Sequence, residues 1–301
     1  MNRRDWLCQA GLAAATLVVS PGSGGWTAPA GGPRRRLLMY TRSGDYQHDV
    51  VKRNGNKLSL AEQIVTDLGA KHNFDVMCEK DGRVFLSEEF PKFDGFFFET
   101  QGDLCAEKSK DDTPPVPPEG KRALLEAVHG GKGFAGCHCA SDTFHSAGDR
   151  FERQSADQLD PYIAMLGGEF IRHGDQQKGW MRVVDHSFPG LKGVDDFELQ
   201  EEWYSLKNFA PDLHVILVQD TKGMHNPDYH RPSYPATWAR RHGKGRVFYT
   251  SMGHRDDVWK NSLFQEILLG GLAWALGNVD ADVTPNIKEV TPEASVMPRP
   301  K

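Results

Sequence analysis

Short apolar runs spaced by stretches of helical period constrain this chain more than any other feature. Arg36-Leu37-Leu38-Met39-Tyr40, Phe74-Asp75-Val76-Met77-Cys78, Gly95-Phe96-Phe97-Phe98-Glu99 and Gly133-Phe134-Ala135-Gly136-Cys137 each have the length of one buried strand. Between the first two, Leu58, Ala61, Ile64, Val65 and Leu68 recur at helical spacing. Before the fourth, Leu124, Leu125 and Val128 do the same and stop at Gly130-Gly131. Strand, helix, strand is the rhythm of a parallel sheet, because parallel neighbours need a crossover to bring the chain back to the same edge. The expected fold class is therefore α/β with a mostly parallel sheet. At 301 residues and 39% hydrophobic content, the chain can bury that core in one domain of roughly 250 residues.

The later half is less regular. Asp160-Pro161 opens a helical stretch that runs to Gly167-Gly168, and short strands are expected around Met181 to Val184 and His214 to Val218. Ala236 to Arg241 and Arg246 to Ser251 flank His242-Gly243-Lys244-Gly245, the pattern of a C-terminal β-hairpin. Leu263, Ile267, Leu268, Leu272 and Leu276 form a closing helix, and the proline-containing tail, residues 280–301, is expected to be extended. Asp111 to Glu119, rich in proline and charge, reads as a surface insertion.

Residues 1–30 read as an export signal instead of fold. Arg3-Arg4 precede an apolar run, Ala10 to Ser20, too short for a stable membrane anchor, and Thr27-Ala28-Pro29-Ala30 supplies small residues for cleavage. A twin-arginine route to the periplasm follows, with the mature domain over residues 31–279 and no stable membrane anchor. A net charge of −5 gives no support for a nucleic-acid partner. Beyond the signal, Cys78, Cys105, Cys137 and Cys139 form no C-x-x-C pair, so neither a disulfide framework nor a zinc ribbon is expected.

The densest motif is Gly136-Cys137-His138-Cys139-Ala140-Ser141-Asp142-Thr143, directly after an apolar strand. Small residues at plus and minus two from His138 are what a strand-to-turn elbow needs to stand one side chain above the sheet. Ligands of open parallel sheets bind at the carboxyl ends of the strands, where His48 would also lie. The bland alternative is a histidine packed in its turn.

Those residues, with Tyr46-Gln47-His48-Asp49, Leu166-Gly167-Gly168-Glu169-Phe170-Ile171-Arg172-His173, Glu201-Glu202-Trp203-Tyr204 and Gly243-Lys244-Gly245-Arg246-Val247-Phe248-Tyr249 with Gly253-His254, resemble the motifs of the ThuA-like (trehalose utilisation) family in order. The resemblance spans about residues 36 to 277. It implies a flavodoxin-like, class I glutamine amidotransferase-like sheet with helices on both faces, and a part in disaccharide catabolism that includes keto-sugar routes. Amidotransferases of the wider superfamily place a cysteine at the elbow, where this chain has His138. A thiol arrangement of Cys139, His254 and Asp256 is the alternative that a one-residue shift of the turn would create.

The reading assigns His138, Glu202 and His254 to catalysis, with Glu202 as base and His138 as acid or electrophile, or the two roles exchanged. His48, Asp142, His173, Tyr204 and Trp238 are assigned to substrate binding, since flat aromatic faces stack on pyranose rings. His138, His173 and His254 could hold a divalent metal such as Zn²⁺, although no H-E-x-x-H spacing is present. The competing role for Glu202 is a structural ion pair with Arg172 or Arg240. A nucleotide cofactor is not expected, and the expected partner is a small carbohydrate. An enzyme acting on a glycoside or keto-sugar and a non-catalytic carbohydrate-binding or sensor protein both stand at this point, with a cysteine-dependent hydrolase third. Oligomeric state has no signal in the sequence.

Overall fold

The structure is a computed structural model describing residues 33–298. The export signal expected over residues 1–30 lies outside the described residues. Strand β1 (Arg35–Tyr40) leads through a loop to helix α1 (Leu60–Lys71), followed by β2 (Phe74–Glu79) and β3 (Gly95–Phe98). Helix α1 starts at a capping box: the Ser59 hydroxyl accepts from the Glu62 amide while the Glu62 carboxylate accepts from the Ser59 amide. Helix α2 (Pro118–His129) opens on proline, whose fixed φ suits a first helical turn, and leads to β4 (Gly133–Cys137).

Helix α3 (Pro161–Leu166) is capped by the Asp160 side chain and stopped by Gly167, whose φ of 89° a residue with a Cβ adopts only under strain. Strands β5 (Glu169–His173), β6 (Gln177–Val183), β7 (Phe197–Glu201), β8 (Tyr204–Lys207) and β9 (His214–Asp220) follow. The hairpin is β10 (Tyr234–His242) with β11 (Gly245–Thr250), and helices α4 (Asp256–Trp259), α5 (Ser262–Ala275) and α6 (Ile287–Val290) complete the chain.

The main sheet runs β2-β1-β3-β4-β11-β10-β9-β6-β7, and β5 pairs with β8 in a separate two-stranded sheet. The first five strands are parallel, as the α/β reading requires, and every pairing from β11 outward is antiparallel. Alternation along the strands divides the core in two. Leu37, Met39 and Phe97 pack on the face covered by α1 and α5, whereas Leu38, Tyr40, Phe96 and Phe98 pack on the face covered by α2 and α3. The parallel half has the strand order of doubly wound folds, whose ligand crevice lies where the chain reverses its winding, between β1 and β3. Because β7 runs in the same direction as β4, its last residues reach that same edge.

Three expectations change. The tail from residue 280 is not simply extended: it contains α6, buries Ile287 and Ala294, and fixes Asn286 to both backbone groups of Val215, at 2.6 and 3.0 Å. The Asp111 to Glu119 insertion is tied down by an ion pair between the buried side chains of Lys80 and Asp111 at 2.8 Å. Strands β5, β7 and β8 went unread because five or fewer residues of mixed polarity carry too short a period to recognise. No helix among the described residues is long and apolar enough to cross a membrane.

Candidate active site and metal-binding group

Strand β4 delivers His138 to the carboxyl edge. The residue adopts φ +39°, a left-handed conformation unfavourable for a residue with a Cβ, at the first position of a short 3₁₀ turn, His138–Asp142. Its neighbours must be small: a Cβ on Gly136 would lie 2.8 Å from that of Ala140. The strained turn is held by its own carbonyl, which accepts from the Tyr249 hydroxyl at 2.8 Å and the Ser141 hydroxyl at 3.1 Å. The elbow read from the sequence is therefore formed, with a histidine at its apex.

The imidazole is fully buried. Its Nδ1 lies 3.2 Å from the Ser251 carbonyl, a contact in which the ring nitrogen must donate, which leaves Nε2 facing the crevice. There it meets Glu202 Oε2 at 3.5 Å and His254 Nδ1 at 3.3 Å, and His254 Nδ1 meets Glu202 Oε2 at 3.1 Å. His48, from the loop after β1, stands edge-on to both rings with centroids 5.0 and 5.1 Å away. Its Nδ1 is buried with no hydrogen-bond partner. One ligand atom from each of His48, His138, Glu202 and His254 falls within 4.8 Å of all the others, so this buried group could hold a metal ion. Bonds of about 2.0–2.1 Å set tetrahedral ligand atoms about 3.3 Å apart. The three separations of 3.1, 3.3 and 3.5 Å match that edge, and His48, which has a buried ring nitrogen with no hydrogen-bond partner, completes the four.

Electrostatics in the group are divided. Burial opposes the charge of Glu202, but hydrogen bonds and attraction from His138 and His254 outweigh it and hold the carboxyl far below its usual range. Burial also opposes charge on His254, and the Glu202 carboxylate reverses the balance, raising that imidazole's pKa. His48 is pushed well below 6.5 by burial first and by the neighbouring His138 and His254 next. A carboxyl biased toward its ionised form, an imidazole biased toward its charged form and an imidazole biased toward its neutral form thus share one crevice.

Two further carboxyls lie behind them, and sequence reasoning assigned neither. Glu201 accepts from three backbone amides, Glu202 at 2.7 Å, Gly253 at 2.9 Å and His254 at 3.2 Å, tying the end of β7 to the loop after β11. Burial raises its pKa. Glu99, just past β3, is enclosed beneath the elbow, where the thiols of Cys137 and Cys139 both reach it and burial pushes its carboxyl well up. The available signal for Glu201 was its place beside Glu202 at a strand end. For Glu99 it was a lone carboxylate ending an all-apolar run.

The other sequence assignments separate. His173 is about half exposed and touches Glu202 Oε1 at 3.5 Å with its Nδ1, outside the four-residue group, so His48 takes the place that the metal reading gave to His173. Tyr204 is buried under His138 with ring centroids 4.0 Å apart, backing the imidazole instead of facing a ligand. Trp238 is a core residue: it is completely buried, packs on Tyr249 and donates to the Leu166 carbonyl at 2.9 Å. Asp142 turns to an adjoining chamber and bonds His145 at 2.5 Å. Glu202 pairs with neither arginine considered for it, since Arg172 meets Asp228 and Arg240 meets Asp212. The thiol alternative fails as well. Cys139 directs its sulfur to Glu99, burial pushes the thiol well up, and Asp256 pairs with Lys260.

A doubly wound α/β domain with a histidine–glutamate group at its carboxyl edge is the class that this geometry defines. Residues 36–275 match the family model ThuA, described as trehalose utilisation, and the chain belongs to that family. No curated protein matches the chain. A ThuA-like protein of Bacteroides uniformis ATCC 8492 is 16% identical, with 82% of this chain and 93% of that one covered at a TM-score of 0.57. A ThuA-like protein of Parabacteroides merdae ATCC 43184 is 17% identical, with 84% and 95% covered at 0.55. At these identities the two likenesses establish the fold and nothing of the chemistry.

Proposed function

We propose that this protein is an enzyme acting on a trehalose-like disaccharide or its 3-keto derivative by proton transfer at the carboxyl edge of the sheet. The observation that supports it is the convergence of His48, His138, Glu202 and His254 within 4.8 Å, drawn from four separate loops. Convergence of that kind on a strained elbow serves chemistry better than passive binding, which needs no titratable group held off its ordinary pKa. The family's description as trehalose utilisation directs the choice of substrate.

With no metal bound, Glu202 accepts a proton, from the carbon beside a keto group or from a hydroxyl, and His254, which the Glu202 carboxylate biases toward its protonated form, returns one. His138 holds the reacting oxygen by its Nε2 side. With a divalent ion such as Zn²⁺ held instead by His48, His138, Glu202 and His254, those side chains would serve as its ligands, and the ion would supply polarisation of a substrate oxygen in place of that acid–base pair. Elemental analysis of the purified protein decides whether one is resident. The sequence further supports export through the twin-arginine pathway to the periplasm, which replacing both Arg3 and Arg4 by lysine is expected to block in a fractionation assay.

The test is to incubate the mature form with trehalose, sucrose and their 3-keto derivatives, following products by NMR beside His138→Ala. Turnover that disappears in the variant is the expected result. Sugar binding without turnover on any of these compounds would move the protein to the non-catalytic class.

A further inference from the structure

A second chamber of about 670 Å³ opens beside the four-residue group. Its volume falls in the range of small-molecule sites, roughly 300–1,000 Å³. Its lining includes Asp45, Gln101, Asp142, Phe144, His145 and Arg150. Two routes of contact lead from the lining back to the histidines. Gln101 Oε1 accepts from the amides of Asp45 and Tyr46, each at 2.9 Å, and the Tyr46 ring stands edge-on to His48 with centroids 4.9 Å apart. By the other route the Arg150 guanidinium lies 5.7 Å from the Phe170 ring centroid, Phe170 packs on Tyr204 at 4.2 Å, and Tyr204 on His138 at 4.0 Å. Tyr46, a large aromatic that is 56% exposed, follows Asp45 of the chamber lining and precedes His48 by two positions, and it shares a neighbouring cleft with His254.

The chemistry of the lining restricts the occupant. Within the chamber, Lys121 pairs with Asp160 at 2.6 Å and His145 with Asp142 at 2.5 Å, so most of its charge is already matched. What is left to a ligand is the carboxylates of Asp45 and Asp103 and the guanidinium of Arg150, which makes no ion pair among the described residues, since the Gln101 amide is already bonded at both its oxygen and its nitrogen. Carboxylates beside a guanidinium accept from and donate to neighbouring hydroxyls at once. An anion would meet the carboxylates and a cation the guanidinium, which leaves a neutral polyhydroxylated group as the best match. The exposed face of Tyr46 suits the apolar face of a sugar ring.

The geometry points to this chamber as the subsite for the second ring of a two-ring glycoside, whose first ring lies at His138 and Glu202. The inference rests on the carbohydrate reading of the site. It makes the substrate a disaccharide or its keto form instead of a free monosaccharide, with the bond between the rings passing Tyr46.

Arg150→Ala and Asp45→Ala test it, both at exposed positions outside the core. The comparison is kcat/KM for trehalose and 3-keto-trehalose against methyl glucoside and its 3-keto form. Losing one charged hydrogen-bonding group costs about 1.5–3 kcal/mol, so the two-ring over one-ring preference should fall about 10- to 100-fold in each variant. A parallel titration by saturation-transfer NMR measures disaccharide binding to the wild type, Arg150→Ala and Asp45→Ala. Turnover with an unchanged preference in both variants overturns the subsite and leaves the enzyme reading standing. Binding that weakens in the variants, in a protein with no turnover, upholds the subsite and removes the enzyme reading. A wild type that shows no preference for two rings, or binds no disaccharide, overturns it.

Discussion

The strands of the parallel half carry opposite physics at their two ends. At the carboxyl end the backbone is strained and polar groups are crowded: His138 and Phe144, the only residues other than glycine, asparagine or aspartate with positive φ among those described, both sit in the loop after β4. Buried carboxyls and an unpartnered imidazole nitrogen lie within the same loops. At the amino end the packing is close and the charges are matched. A Cβ on Gly133 would lie 2.3 Å from the Ala275 carbonyl oxygen and one on Gly245 2.1 Å from that of Val128, while Arg35 pairs with Asp94 and Arg246 with Asp280. One end supplies stability and the other uses it to hold groups in arrangements they would not adopt unaided.

The largest effect that separates the two ends is on turnover. Glu202→Gln removes the carboxylate that pairs with three imidazoles and keeps its shape, so kcat should fall about 10²- to 10⁴-fold. Thermal unfolding of the variant should stay close to wild type, because the side chain serves the site and not the core. A large drop in melting temperature with little loss of rate would reverse the division between the ends.

Next in size is a pH effect confined to the carboxyl side. His145 bridges Asp142 at 2.5 Å and Glu169 at 3.1 Å; burial opposes its charge, but the two carboxylates outweigh burial and raise its pKa to about 9. A folded pKa above the unfolded value near 6.5 contributes stability that is fully present below that value and fades as pH rises through about 9. His145→Gln should therefore cost on the order of 2–3 kcal/mol at pH 6, allowing for partial exposure, with the gap to wild type closing by pH 9–10. Urea unfolding at several pH values measures it, and a gap that stays constant with pH contradicts the clamp.

The amino end gives the converse. Gly133→Ala forces a methyl against the Ala275 backbone and should destabilise by about 1–3 kcal/mol, seen as a lower urea midpoint. The kcat/KM of the folded fraction should not change, since nothing at that end touches the site.

The same division explains what the sequence disclosed. Parallel strands buried on both faces are nearly continuous apolar runs, so β1, β3 and β4 were legible, the edge strand β2 was legible from its alternating Phe74, Val76 and Cys78, and the elbow was legible because Gly136 and Ala140 must be small. His48 and His254 share the site only because β1 and β11 end on one edge, a relation that sheet topology creates and that local spacing does not record. That is why His173 was preferred over His48 in the metal set. Trp238 was misassigned because an aromatic on a buried strand and one on a binding loop look alike without the fold. Asn286 and Ile287 dock the tail on Val215 of β9 and on the carbonyl of Leu213 just before it, more than 70 positions away in sequence, which no periodicity shows.

The smallest effect tests how the strained end is held. Glu201 touches no position where substrate would lie, yet its carboxylate gathers the amides of Glu202, Gly253 and His254, and so sets two members of the group from below. Glu201→Gln preserves volume and one accepting oxygen but places an amide that donates where the other oxygen accepted. A second layer of this kind is worth 10- to 100-fold in activity or metal affinity, and the near-isosteric change should lie at the low end, about tenfold. The loss should appear in kcat with KM little altered, together with a shifted pH profile, because the His254–Glu202 pair is re-aimed instead of removed. A merely structural Glu201 would lower the melting temperature and leave the pH profile of the folded enzyme where it was. If that is the result, the carboxyl edge is held by packing alone, and the contrast between the two ends lies in chemistry and not in how each end is supported.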